Sequence, residues 1–145
     1  MDLERFYRGY RELDLRADEL ITAVLIPPLP PGGTERFRKV GTRRAQAISK
    51  VVGACRLVLS AEGAFAAAGL AFGSVGPTVV RCAELERLLI GERPGPELAA
   101  EGERVVRAAL RPIDDLRSSA AYRTHVAGRL IYRWILEARS PRAVT

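Results

Sequence analysis

The hydrophobic period of this chain changes once, at Gly76-Pro77-Thr78, from two residues to 3.6. Before that point the apolar residues fall in short β-branched or small-residue runs; after it they recur at helical spacing. A strand half followed by a helix half predicts an α+β domain, an antiparallel sheet covered by helices.

In the strand half, Glu35 to Val40 reads as a short strand with Phe37 pointing inward. Val51 to Ser60 is a β-branched run and Phe65 to Val75 a small apolar one. Together they predict an antiparallel pair turning near Glu62-Gly63. In the helix half, Cys82 to Ile90 is a short helix stopped by Gly91. Glu97 to Leu110 carries Leu98, Gly102, Val105, Val106, Ala109 and Leu110 on one face, and Pro112 ends it. For the third helix, Ser118 or Ser119 supplies the cap, and Tyr122, Val126, Leu130 and Trp134 repeat at i, i+4. Ala127, Ile131 and Ile135 widen that stripe. Asp114 and Asp115 precede it, where carboxylates favour a helix N-terminus. The expected product is a sheet of about three antiparallel strands packed on a three-helix bundle.

Upstream, Pro27-Pro28-Leu29-Pro30-Pro31-Gly32-Gly33 is a stiff linker. It sets off an extended N-terminal arm (1–33) from a body (34–140), with a short tail (141–145) after it. Within the arm, Glu19 to Ile26 reads as a strand, and Leu13 and Leu15 alternate with polar residues more weakly. A lone strand or hairpin cannot bury its apolar face, so this arm is expected to pad another sheet.

Composition narrows the chemistry. With 145 residues, 48% apolar and 28% charged, the chain has the make-up of one soluble domain with its own core. Cys55, Cys82 and His125 are the whole Cys and His inventory, too few for a zinc or iron–sulfur site. No nucleophile motif accompanies His125, which argues against a Ser-His-Asp or Cys-His enzyme. Two well-separated cysteines suit a reducing compartment. The N-terminus is charged from Asp2 onward, and the long uncharged run Gly63 to Val80 is broken by four further Gly or Pro residues. No membrane partner is expected, and the expected location is cytoplasmic.

The net charge of +6 rests on 21 arginines and only two lysines, Lys39 and Lys50. The densest basic segment runs from Arg36 to Arg44 and contains Arg36, Arg38, Lys39, Arg43 and Arg44 without an acid. A strand leading into Val40-Gly41-Thr42 aims cations and backbone amides at one spot, suited to an anionic ligand. The same run also reads as a solvated basic edge strand that discourages aggregation. Lys39 stands apart, because a compact ammonium on a flexible stem does what a planar guanidinium does not. Gly73-Ser74-Val75-Gly76-Pro77 lacks the spacing and lysine of a phosphate loop and reads as a turn. The alternative function is a stand-alone basic interaction or nucleic-acid-binding module. Aromatics interleaved with the cations are few, so nucleic acid is not the expected partner.

Four segments, in order along the chain, resemble one family. The first is Phe6-Tyr7-Arg8-Gly9-Tyr10-Arg11 followed by Asp18-Glu19-Leu20-Ile21 and Ile26-Pro27. The second is Phe37-Arg38-Lys39-Val40-Gly41-Thr42-Arg43-Arg44-Ala45-Gln46-Ala47-Ile48. The third is Phe72-Gly73-Ser74-Val75-Gly76-Pro77-Thr78-Val79-Val80-Arg81, then Ala83-Glu84 and Leu88-Leu89. The last comprises Asp114-Asp115, Arg117-Ser118-Ser119, Tyr122-Arg123 and Leu130. Together they resemble the C-terminal domain of the flavin-binding subunit of molybdenum hydroxylases, the family of xanthine dehydrogenase and aerobic carbon monoxide dehydrogenase. The first segment is similar to the stretch that closes the preceding FAD-binding domain.

The resemblance implies a three-stranded antiparallel sheet with a three-helix bundle. It also implies an electron-transfer setting in which electrons pass from molybdenum through iron–sulfur clusters to FAD and then to NAD or another acceptor. The lysine matching Lys39 lies close to the isoalloxazine in such enzymes, and the loop matching Gly41 to Ala47 borders it. Lys39, Gly41, Thr42, Arg43 and Arg44 are therefore the candidate cofactor-binding residues; no catalytic or metal-ligating residue is implied. Relatives with an acidic pair in this loop use it near the nicotinamide site, whereas Gln46 and Ala47 stand there in this chain, which leaves the acceptor open. The implied partners are an FAD-binding domain, an iron–sulfur subunit and a molybdopterin subunit. The family's pyrophosphate-binding glycine loops belong to that FAD-binding domain and are not among these 145 residues. The isolated chain is expected to hold little FAD and to be inactive alone.

Overall fold

The computed structural model describes residues 1–43 and 46–138. In chain order they form α1 (Leu3–Phe6), β1 (Tyr7–Gly9), β2 (Glu12–Leu13), β3 (Gly33–Val40), β4 (Val51–Leu59), β5 (Phe65–Gly73), β6 (Val80–Arg81), α2 (Ala83–Leu89), α3 (Pro96–Ala109) and α4 (Ala120–Glu137). The architecture is α+β, as the change of period predicts. The main sheet is antiparallel in the order β3-β4-β5-β6, so the expected three strands gain a two-residue fourth at one edge. β1 and β2 form a separate two-stranded ribbon in the arm.

Burial along β4 alternates in step with the two-residue period of a strand. Val51, Gly53, Cys55 and Leu57 turn toward the helices; Val52, Ala54 and Arg56 turn away. On β5, Leu70 and Phe72 join the inward set. α4 packs over β4 and α2 over β5, and α3 lies against both α2 and α4. The core is thus one-sided. Helices cover one face of the sheet, and no helix of comparable length covers the other among the described residues.

The pivot is an aromatic stack. Trp134 of α4 lies nearly parallel to Phe72 of β5, with centroids 6.0 Å apart and ring planes at 14°. Between them Gly53 leaves room: a Cβ there would fall 2.6 Å from a Phe72 ring carbon and 2.8 Å from the Trp134 ring. Helix α2 ends where Gly91 takes φ +86°, a conformation that suits glycine.

The start of α4 ties three loops together. The Ser119 hydroxyl accepts from the Tyr122 amide at 3.2 Å, which selects Ser119 over Ser118 as the cap. Asp114 accepts from the Ala120 amide at 2.6 Å. Buried Arg123 donates to the Ser74 carbonyl at 2.7 Å and to Asp115 at 2.6 Å. Ser74 is held at φ +65°, a strained value for a non-glycine residue. Lys50 completes the set by stacking its ammonium on the Tyr122 ring, 5.2 Å from the centroid.

Several expectations need correction. Phe37 is 71% exposed rather than inside, because direct pairing with Ala54 places it on the face without helices. The buried stripe of α4 runs through Arg123, Ala127, Ile131 and Ile135, with Trp134 beside it, so Tyr122, Val126 and Leu130 flank the stripe. Ala109 is exposed at the end of α3. Glu19 to Ile26 forms no strand; Leu20 and Leu25 are about 90% exposed, since no sheet offers them a partner. The tail and residues 139–140 of the proposed body lie outside the described residues.

Two tests follow from this packing. Gly53→Ala should destabilise the domain by about 1–3 kcal/mol by forcing Phe72 and Trp134 apart, read as a lower urea midpoint with reduced tryptophan–phenylalanine contact. The second concerns acid. Amides of Arg117 and Ser118 and the Arg123 guanidinium hold the Asp115 carboxyl down at about 2, from 3.8. A depressed carboxylate contributes stability above its unfolded value and loses it as pH falls through the folded one. Wild type should therefore lose stability as pH drops from 3.8 toward 2, and Asp115→Asn should flatten that part of the profile in urea titrations at successive pH values.

Candidate functional site

The basic segment does not converge on one spot. Strand pairing sets Arg36 opposite Cys55 and Arg38 opposite Gly53, so both lie on the helix-covered side. Arg36 there approaches Glu137 of α4 at 4.0 Å. Lys39 alternates to the other side with Phe37 and Glu35, opposite Val52. It is exposed, and no carboxylate pairs with it among the described residues. Immediately beyond, the Lys50 amide donates to the Val40 carbonyl at 2.7 Å and closes the base of the loop.

Within that loop the candidate residues behave differently from one another. Gly41 is half-buried against Ala47, and Thr42 is exposed. The Arg43 guanidinium turns back to donate to the Gln46 carbonyl, 2.7 Å from Nη2, rather than standing out from the loop. Gln46 itself takes φ +49°. Arg44 lies outside the described residues. Among the described candidate residues, Lys39 is therefore the cation most available to an incoming anionic group.

The face that carries Lys39 has a trough. Its floor is made of small residues, Ala54, Gly69 and Ala71, and its ends are Phe37 on β3 and Arg81 on β6. The trough is open to solvent and has a volume of about 1020 Å³. Each end carries an ion pair. Arg56 donates to Glu35 at 2.6 Å and also to the Pro27 carbonyl at 3.1 Å. Arg81 pairs with Glu86 at 2.8 Å and reaches Glu4 of α1 at 3.5 Å. Glu86 is buried because its other oxygen accepts from the Leu70 amide at 2.8 Å. Sequence reading misses this trough, although Ala67, Gly69, Ala71 and Gly73 alternate along β5 as a small-residue row that could have marked it.

Other side chains offer little chemistry. Burial pushes the Cys55 thiol up to about 12 and the Cys82 thiol to about 11, so neither forms a thiolate nucleophile near neutral pH. His125 sits exposed on α4. The arginines of α3 and α4 are largely engaged by carboxylates: Arg104 with Glu101, Arg107 and Arg129 with Glu103, and Arg133 with Glu137. Among the described residues no helix is long and apolar enough to cross a membrane.

Comparison with known proteins agrees with this fold. Xanthine dehydrogenase of Emericella nidulans is 29% identical over 150 residues, covering 95% of this chain and 11% of that protein. The alpha subunit of the 6-hydroxypseudooxynicotine dehydrogenase complex of Paenarthrobacter nicotinovorans is 28% identical, covering 83% of this chain and 40% of its own. In solved structures, reconstituted CO dehydrogenase from Oligotropha carboxidovorans superposes with a TM-score of 0.84 at 25% identity, covering 94% of this chain and 48% of the matched one. Quinoline 2-oxidoreductase from Pseudomonas putida 86 gives 0.75 at 26% identity, with 92% and 46% covered. The chain spans less than half the length of each of these proteins. The family model of the CO dehydrogenase flavoprotein C-terminal domain matches residues 35–138. With that match across most of its length and a fold to suit, the chain belongs to the CO dehydrogenase flavoprotein C-terminal domain family, the C-terminal flavoprotein domain of molybdenum hydroxylases of the xanthine dehydrogenase and CO dehydrogenase type.

Proposed function

We propose that this domain works as part of a molybdenum-hydroxylase-type oxidoreductase, bordering an FAD held mainly by a flavin-binding domain that precedes it. Residues 1–33 then belong to that domain as its closing segment and linker, and residues 34–140 form the C-terminal domain proper. Iron–sulfur and molybdopterin subunits are the further partners of such an assembly. FAD, when bound, supplies the chemistry of accepting electrons and passing them on.

The observation that carries the reading is Lys39, an exposed ammonium without a carboxylate partner among the described residues, on the side of the sheet that helices leave open. A fixed cation there favours negative charge on a neighbouring cofactor and so raises its reduction potential. Gly41 and Thr42 continue the chain past Lys39 with little side-chain bulk, leaving backbone close to the same edge. Arg43, folded onto Gln46, shapes the loop rather than offering a second free cation. Arg44 stands with them as a proposed border residue. The unpaired apolar segment Glu19–Ile26 supports the domain division, because Leu20, Ile21, Val24 and Leu25 find no cover within the described residues and suit addition to another domain's sheet.

Redox potentiometry tests this. When the chain is added to an FAD-loaded flavin-binding domain of its own complex, the flavin potential should rise. Lys39→Ala should forfeit on the order of 30 mV of that rise, about 1.4 kcal/mol for a two-electron couple, and Lys39→Arg should restore most of it. An identical potential with Lys39→Ala and wild type would sink the assignment of Lys39.

A further inference from the structure

We infer that Tyr122, in the first turn of α4, is a positioning residue for Lys39: its ring grips Lys50 and so fixes the base of the loop that follows Lys39. This inference rests on the proposed function and adds to it the group that sets where the Lys39 ammonium stands.

Lys39 has no side-chain partner to place it. It is exposed and meets no carboxylate among the described residues, so its position comes from the backbone on either side. Its strand ends one residue later, at Val40, and the chain returns as β4 at Val51. Of the described loop residues between them, Thr42, Arg43, Gln46 and Ile48 are exposed, so burial does little to order the loop. The Lys50 amide closes it beside Lys39 by donating to the Val40 carbonyl at 2.7 Å.

The side chain of Lys50 is held in turn. Its ammonium lies 5.2 Å from the centroid of the Tyr122 ring, and no carboxylate takes it among the described residues. The attraction of the ring face for a cation is therefore what anchors it. The ring itself stands on a firm support. The Tyr122 amide donates to Ser119, and the next residue, Arg123, is buried and bonded to Asp115 and the Ser74 carbonyl. Ser74 follows Gly73, which pairs with Val52, which pairs with Lys39. One helical turn thus grips both ends of the row Lys39–Val52–Gly73, through Lys50 at one side and Ser74 at the other.

This turn is costly to build. Among the described residues Arg123 Nε is buried without a hydrogen-bond partner, and Ser74 holds φ +65°. Such strain gathers where placement matters for function. Core packing does not account for the tyrosine, because Tyr122 is 42% exposed and lies outside the buried stripe of α4.

Two measurements test the inference, the first without flavin. In the chain alone, Tyr122→Leu should leave the urea midpoint nearly unchanged. Its Lys50 amide should nevertheless exchange with solvent deuterium roughly 2- to 5-fold faster, the factor that loss of one exposed cation–π contact gives. Tyr122→Phe keeps the ring and should exchange like wild type. The second measurement is the flavin potential, with the chain added to the FAD-loaded flavin-binding domain of its own complex. Tyr122→Leu removes no charge, yet it should lose part of the rise that wild type gives, whereas Tyr122→Phe should keep it. With Lys39→Ala already in place, Tyr122→Leu should cause no further loss, because it acts through Lys39. Unchanged Lys50 exchange in Tyr122→Leu overturns the positioning role. A full potential rise in Tyr122→Leu, or an additive loss in the double variant, overturns it too. In each case the proposed function stands as long as Lys39→Ala still lowers the potential. If Lys39→Ala leaves the potential at the wild-type value, both are overturned.

Discussion

Trp134 stacked on Phe72 across Gly53 is the contact on which the rest of the molecule depends. It joins the last helix to the two central strands, residues more than 60 positions apart in the chain. Once α4 is fixed there, its first turn is fixed too, and Arg123, Tyr122 and Ser119 can hold the loops that end β3, β5 and α3. The stack is possible only because β4 carries no side chain at its crossing with α4. Bulk is removed at one position so that two large rings can meet, and the apolar area they bury stabilises the domain.

The same sheet is built asymmetrically. Its inner face carries Cys55, Leu57, Leu70 and Phe72 under helices, while its outer face carries Ala54, Ala67, Gly69 and Ala71 with Phe37 at the edge. Antiparallel sheets commonly expose one face, but that face is then usually polar. Here the outer face is largely apolar, with small residues beside Val52 and with Arg56 of β4 paired to Glu35. Lys39 lies on the same face, so the exposed ammonium and the small-residue surface share one side of the sheet.

The fold was legible where local chemistry decides structure. The stop at Gly91 and the cap at Ser119, one of two serines the sequence offers, act within a few residues, and the change of period at Gly76-Pro77-Thr78 is followed by only one short strand, β6, before the helices begin. The strand pair turning near Glu62-Gly63 was equally legible, since its partners are neighbours in the chain. Less legible was the face each strand residue takes. Phe37 looks like a core residue by hydrophobicity, yet its pairing with Ala54 puts it outside. On α4 the buried Ala127, Ile131, Trp134 and Ile135 were legible, but Arg123 was not, because Asp115 and Ser74 hold it, partners that periodicity does not see.

The sequence by itself determined the α+β class, the order of elements, the family resemblance and the singling out of Lys39 among so many arginines. Tertiary structure alone decided which cations share a side with it. The physical reason is the two-residue alternation of a strand: Arg36, Arg38 and Lys39 are close in sequence, but pairing with Cys55, Gly53 and Val52 sends them to opposite faces. The trough is likewise a tertiary product, because its floor comes from two strands and its ends from two more. Small residues on a strand say only that something can come close. Three-dimensional placement says from which side.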